Sequence, residues 1–310
     1  MAGSEHTAVE DTGPGPAHPE RILLLLGGVF LLHVGYLACV AEDTHITFRF
    51  ARHVAQGHGF VWNLGEAPIE GFTTFLWVLI AAAALRLGVD VFWLTQAIGT
   101  LAALGTLALT WHVARRHLGA SGWSGLVPCL FLALSGPLAT WAGSGMEMTA
   151  FGFFMLLGVH AYLEHLKAPS QAWLLGSAAS LLTATLLRPE GGLVMVVLGL
   201  LAITVYWPRT RASFRQHLVW GLVYTLPFLL FLAWRYHVFG EWVPNTYYQK
   251  TGGGFWQHAR GAGYLIFFAF FYLQPLVPFP ALLAWEAGLP DPRRRRPGRR
   301  CRRRRARRTA

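Results

Sequence analysis

The chain has 310 residues, 54% of them hydrophobic and only 13% charged, whereas an average soluble protein carries about 25% charged residues. That composition excludes a disordered chain, a collagen-like repeat and a soluble globular domain, and three cysteines (Cys39, Cys129, Cys301) exclude a disulfide framework and show no metal-ligand spacing. The net charge of +11 points at first to nucleic acid, but residues 291–310 hold twelve of the 26 Lys and Arg and one of the 15 Asp and Glu. The rest is neutral and apolar, so no nucleic-acid partner is expected.

Residues 1–20 are polar, rich in Gly, Pro and acids, and read as a disordered leader. Ile22–Val40 is an apolar run of 19 residues, long enough to cross a bilayer. It exceeds the apolar core of a cleaved signal peptide, and the leader before it is acidic rather than basic. Further spans are expected at about 90–114, 123–142, 148–163, 172–188, 191–207, 218–236 and 262–284. Thr73–Leu87 is apolar but short, and reads as a half-helix that leans on the membrane or re-enters it. The expected fold class is therefore all-α integral membrane, with about eight transmembrane helices in residues 21–285. The loops then alternate. Arg115, Arg116, Lys167, Arg209, Arg211 and Arg215 fall on the side of residue 1, and Glu42, Asp43, Glu66, Glu70, Glu147, Glu190 and Glu241 on the other. By the positive-inside pattern both termini are cytoplasmic.

The first outer loop, 41–72, opens with the acidic pair Glu42 and Asp43. Glu42, His45, Arg49, Arg52, His53 and Gln56 recur at helical spacing on one face, with Ile46, Phe50 and Val54 on the opposite one. This predicts an amphipathic helix lying along the membrane interface. Gly57-His58-Gly59 ends it, and Trp62-Asn63-Leu64-Gly65 reads as a turn. The pattern suits a solvated helix among lipid headgroups. It suits equally a carboxylate raised in pKa by partial desolvation and able to act as a general base.

Three further polar clusters interrupt the apolar runs. Gly143-Ser144-Gly145-Met146-Glu147-Met148-Thr149 fits a loop with a helix-capping acid. Arg188-Pro189-Glu190-Gly191-Gly192 is a tight link whose charges are costly beside hydrocarbon unless paired or functional. Trp242-Val243-Pro244-Asn245-Thr246-Tyr247-Tyr248-Gln249-Lys250 fits an aromatic belt with a snorkelling Lys. One topology places all four clusters on the same outer face, which is the usual geometry of a site.

These blocks, in this order, resemble the polytopic glycosyltransferases of the GT-C class, and within it the arabinofuranosyltransferase branch of bacterial cell envelopes. The carrying residues are Glu42-Asp43-Thr44-His45-Ile46-Thr47-Phe48-Arg49-Phe50-Ala51-Arg52, Gly57-His58-Gly59-Phe60-Val61-Trp62-Asn63, Glu70-Gly71-Phe72-Thr73-Thr74-Phe75-Leu76-Trp77, Ser144-Gly145-Met146-Glu147, Arg188-Pro189-Glu190-Gly191 and Pro244-Asn245-Thr246-Tyr247-Tyr248-Gln249-Lys250. They lie within residues 41–250, about two-thirds of the chain.

The resemblance implies transfer of a sugar from a polyprenyl-phosphate donor to a glycan, lipid or protein acceptor, at the outer face of a bacterial plasma membrane. It places the acid/base role on Asp43, with Glu42 standing where relatives often carry a second Asp. Arg49, Arg52, Arg188 and Lys250 are candidates to support the leaving phosphate, and His45, Glu147, Glu190, Asn245 and Tyr248 complete the expected substrate site. No cofactor is evident, and no metal cluster is visible in the spacing. Relatives usually extend further, with more spans, whereas residues 286–310 are Pro-Arg low complexity that resembles out-of-frame reading of a GC-rich gene or, alternatively, a cytoplasmic polybasic segment that binds anionic membrane lipids. A transporter or flippase of lipid-linked sugar, or an inactive fragment of a transferase, are the rival expectations.

Overall fold

The computed structural model describes residues 16–204, 210–250 and 254–270. Twelve helices and no strand occur among them. In chain order they are α1 (Pro19–Leu37), α2 (Glu42–Ala55), α3 (Phe75–Arg86), α4 (Val91–His117), α5 (Val127–Ala133), α6 (Gly136–Ala142), α7 (Met148–Lys167), α8 (Gln171–Leu187), α9 (Gly191–Thr204), α10 (Arg211–Phe239), α11 (Asn245–Lys250) and α12 (Gly254–Phe268). Residues to 252 form one compact unit and α12 belongs to a second. The basic tail, the leader up to residue 15 and the stretch 271–284 of the last expected span lie outside the described residues.

Three helices, α1, α4 and α10, are long and apolar enough to cross a membrane. Their apolar side chains point outward more than inward. Of the 29 residues of α10, only Trp220, Tyr224 and Arg235 are buried, and Leu24, Leu32, Trp93, Leu101 and Leu230 are among many large apolar residues left exposed. In water such a surface would be an aggregation site, whereas hydrocarbon accepts it. The described residues thus have the all-helical build and apolar exterior of a membrane protein. Three of the shorter helices, α3, α8 and α9, are also apolar.

Packing follows small residues. At Gly158 of α7 an added Cβ would stand 2.7 Å from Leu181 Cγ of α8, so glycine there sets how closely the two helices approach. One apolar cluster joins α1, α4, α5 and α6 through Phe30, Ala103, Leu107, Cys129 and Ala139. Another joins α7 to α10 through Tyr162, Leu174, Leu181, Met195 and Trp220.

One reading of the sequence changes. The expected span 123–142 is not one helix but two seven-residue pieces, α5 and α6. Ser135 accepts from the Leu138 amide and Pro137 follows in the first turn, so the chain starts a new helix at the point where the old one should continue. The half-helix at 73–87 is α3, twelve residues long, or about 18 Å against a hydrocarbon core of roughly 30 Å. It packs on α2 through Phe48, Phe50, Val78 and Ala81.

Candidate functional site

The amphipathic helix α2 forms where the spacing placed it. Glu42, His45, Arg49, Arg52 and Gln56 are exposed, Phe50 is buried, and Ile46 and Val54 pack against the same cluster. Gln56 caps it, and Gly57 and Gly59 take left-handed backbone beyond the end. Arg49 is held rather than free. Its Nε donates to the Trp62 carbonyl at 2.9 Å, an Nη to Asn63 Oδ1 at 2.7 Å, and the guanidinium lies 4.2 Å over the Trp62 ring. His45, Arg49, Arg52 and His53 then line a cavity of about 430 Å³, closed on the other side by Leu85, Val91 and Phe92.

The two carboxylates of α2 differ in direction. Successive residues turn about 100° on a helix, so Glu42 shares the stripe of His45 and Arg49, three and seven residues on. Asp43 falls one step round, on the stripe of buried Thr47 and Phe50. Both carboxylates are exposed, and neither has a side-chain partner among the described residues.

The loop 143–147 is where separated segments meet. Its carbonyls accept from the Ala41 amide and Thr44 hydroxyl at Ser144, from Trp77 Nε1 at Gly145 (2.9 Å), and from Gln96 Nε2 at Gly143 (2.8 Å). Thr149, just past it, donates to the Gly99 carbonyl. Gly145 has φ +80°, and a Cβ there would come within 3.0 Å of Thr44 Cγ2, so the tight turn needs glycine both for conformation and for space. The loop is therefore clamped by the ends of α2, α3 and α4.

Glu147, at the base of this loop, is fully buried. Its Oε1 accepts from Arg188 Nη1 at 2.9 Å, while its Oε2 is buried with no partner. Arg188 reaches across to Glu190 as well, Nη2 to Oε1 at 2.9 Å. Burial pushes the Glu147 carboxyl above the ordinary carboxylate range, against the pull of Arg188. Desolvation also opposes ionisation of Glu190, but its hydrogen bonds to Arg188 and the backbone outweigh it and hold that group below the ordinary range. One arginine thus separates two acids of opposite tendency.

A further buried pair was not singled out as a site by the sequence reading. Arg235 donates through Nε and Nη2 to the two oxygens of Glu70, at 2.6 and 3.0 Å, with both side chains buried. A further donation from Arg235 reaches the Trp242 carbonyl, and the Asn245 amide donates to the Glu70 carbonyl. Burial raises the Glu70 carboxyl in spite of Arg235. The signal was available: Arg235 is a charge inside an apolar run, which is costly unless paired or functional.

Of the expected site residues, Glu147, Arg188 and Glu190 come together, whereas the Asn245 amide donates to the Glu70 carbonyl. Tyr248 instead donates to Glu241 at 2.9 Å, and the Lys250 side chain lies outside the described residues. Arg49 and Arg52 line the α2 cavity, whose lining includes neither Glu147 nor Arg188.

The opposite ends of α4 and α7 carry a second polar group. Arg116 donates to both oxygens of Glu164 (2.9 and 3.1 Å), His117 Nε2 lies 3.2 Å from Glu164 Oε1, and His117 and His160 are joined ring to ring at 3.1 Å. His112, His160 and Glu164 each offer a metal-ligand atom within 4.8 Å of the others. No spacing in the sequence announced it, because the residues are divided between two helices; only the His160–Glu164 step of four gave a local hint.

Comparison with family models, with curated proteins and with solved structures returns no match.

Proposed function

We propose that the chain is a membrane glycosyltransferase of the GT-C type, using a polyprenyl-phosphate sugar on the outer face of a bacterial plasma membrane. The observation that carries this reading is the convergence on the 143–147 loop. Segments from residues 41–44, 77, 96 and 188 bond to it or to Glu147, beside an apolar exterior suited to lipid. An acid/base residue, fixed cations and a lipid-facing wall are what transfer from a prenyl carrier requires. In the eight-span topology, α5 and α6 together make one broken crossing.

Asp43 takes the proton of an acceptor hydroxyl as its oxygen attacks the anomeric carbon, and the bond to the prenyl phosphate breaks. Charge gathers on the departing phosphate. Arg52 on the cavity face of α2 and Arg49, fixed by Trp62 and Asn63, are the cations that meet it, with His45 beside them as a hydrogen-bonding group. Arg188, already shared by Glu147 and Glu190, orders the loop between them. The prenyl tail lies along apolar helix surface, where each buried CH₂ contributes about 0.8 kcal/mol.

The test is to offer membranes containing the protein a panel of polyprenyl-phosphate sugars and to follow release of free prenyl phosphate together with glycoside formation. Wild type should release it and D43N should not, with both inserted equally. Movement of labelled lipid-linked sugar across a bilayer without glycoside formation would establish the transporter reading, for which the break between α5 and α6 is the favouring observation. Sidedness is read by single cysteines at 58, 190 and 211 in a Cys-free background. The first two should react with an impermeant maleimide in intact cells and the third should not. Position 147, buried beneath Arg188, is unsuitable as a reporter.

A further inference from the structure

Away from the 143–147 loop, α4 and α7 end side by side in a group of imidazoles and one carboxylate. His160 and Glu164 stand four residues apart on α7 and share a face, and both are buried. His112, one turn before the end of α4, presents its ring at 88° to that of His160 with centroids 5.0 Å apart. One ligand atom from each of these three lies within 4.8 Å of the others. His117, the last residue of α4, adds Nε2 at 3.1 Å from His160 Nδ1 and 3.2 Å from Glu164 Oε1.

Those short separations have a geometric meaning. In a tetrahedral zinc site with bonds of about 2.0–2.1 Å, neighbouring ligand atoms stand roughly 3.3 Å apart. The contacts from His117 to His160 and Glu164 are already at that spacing, and His112, an exposed residue, has a ligand atom within 4.8 Å of those of His160 and Glu164. Imidazole nitrogens with one carboxylate suit zinc and its neighbours in the first transition row, and do not suit calcium or magnesium, which take all-oxygen shells.

The surroundings act in both directions. Arg116 occupies both oxygens of Glu164 and Lys167 donates to the Arg116 carbonyl, which puts positive charge beside the group. Arg116, however, is half-exposed, so its guanidinium can withdraw into solvent and release the carboxylate. The carbonyl ends of two helices, α4 and α7, meet here and favour a cation.

We propose that His112, His160 and Glu164, with His117 as the adjoining fourth donor, form a binding site for a zinc-class divalent metal that ties the end of α4 to the end of α7. The site is independent of the glycosyltransferase reading and lies on helix ends remote from Asp43 in the chain.

The experiment uses the full-length, tag-free protein in detergent, stripped with chelator and titrated with Zn²⁺ against a chromophoric competitor, with metal content counted per chain. Wild type should retain one zinc per chain and unfold at a higher temperature with zinc than without it. H112A and H160A should each weaken binding at least about tenfold and abolish the thermal shift, whereas H58A should leave both unchanged. Because His112 is exposed, H112A keeps the fold intact even if H160A does not. Absence of retained zinc in wild type, or equal retention by H112A, overturns the proposal.

Discussion

The two ends of the helical bundle use the same chemistry in different surroundings. At one end Arg235 forks onto Glu70 with both side chains buried, and Arg188 spans the buried Glu147 and the exposed Glu190. At the other end Arg116 forks onto Glu164 with comparable geometry, yet the Arg116 side chain is 51% exposed. Distances alone would rate the two forks alike. Burial separates them: a pair removed from water on both sides cannot lose one member cheaply, whereas a half-exposed guanidinium finds water at once. The end with the enclosed pairs is also where loops from four parts of the chain meet. The other end is built mostly from the last turns of α4 and α7. The first arrangement holds irregular backbone in place; the second is an adjustable cluster on regular helices.

The sharpest way to break this comparison is catalytic. D43N should lower transfer by roughly 100-fold or more, the scale of a lost general base, while H112A at the opposite end should leave transfer within a few-fold of wild type. Equal losses would erase the distinction between the ends. Next comes stability. R235M leaves Glu70 buried and unpaired and should cost about 3–5 kcal/mol, seen as a large fall in the unfolding midpoint in micelles. R116M should lower the midpoint distinctly less. A reversed order would show that exposure of Arg116 does not matter.

G145A tests the clamp on the 143–147 loop. An alanine at φ +80° beside Thr44 should cost of order 1–3 kcal/mol in backbone strain, and should reduce transfer more than it reduces the amount of folded protein. The smallest effect expected is the pH dependence of stability. Glu70 and Glu147 are raised above their ordinary value of 4.5, so the native state holds protons that the unfolded chain releases. Their contribution is full below that value and fades as pH rises through the folded pKa. Glu190, lowered in the fold, contributes above 4.5 and loses its contribution on acidification. Unfolding midpoints measured from pH 4 to 8 should therefore decline more gently in E147Q than in wild type. An unchanged slope would mean that Glu147 titrates alike in the folded and unfolded chain.

Composition and periodicity determined most of the architecture. Apolar runs with few charges predicted helices whose outer faces meet lipid, and among the described residues three of those helices are both long and apolar enough to cross. The step from Ile46 to Phe50 to Val54 set the buried face of α2, and Gly57 and Gly59 set its end, because a helix repeats every 3.6 residues and stops where left-handed backbone is needed. Local rules reached as far as the polar clusters and their order along the chain. What they could not supply was partnership. That Arg188 would lie between Glu147 and Glu190, that Arg235 would bury itself on Glu70, and that His112 and His160 would face one another depended on how α4, α7, α8 and α10 pack. Packing joins residues 41 to 165 positions apart, and no local spacing encodes such a contact. The break at Ser135 escaped for a related reason. Hydropathy summed over 123–142 averages away a capping serine and a following proline, whereas the backbone responds to each of them where it stands.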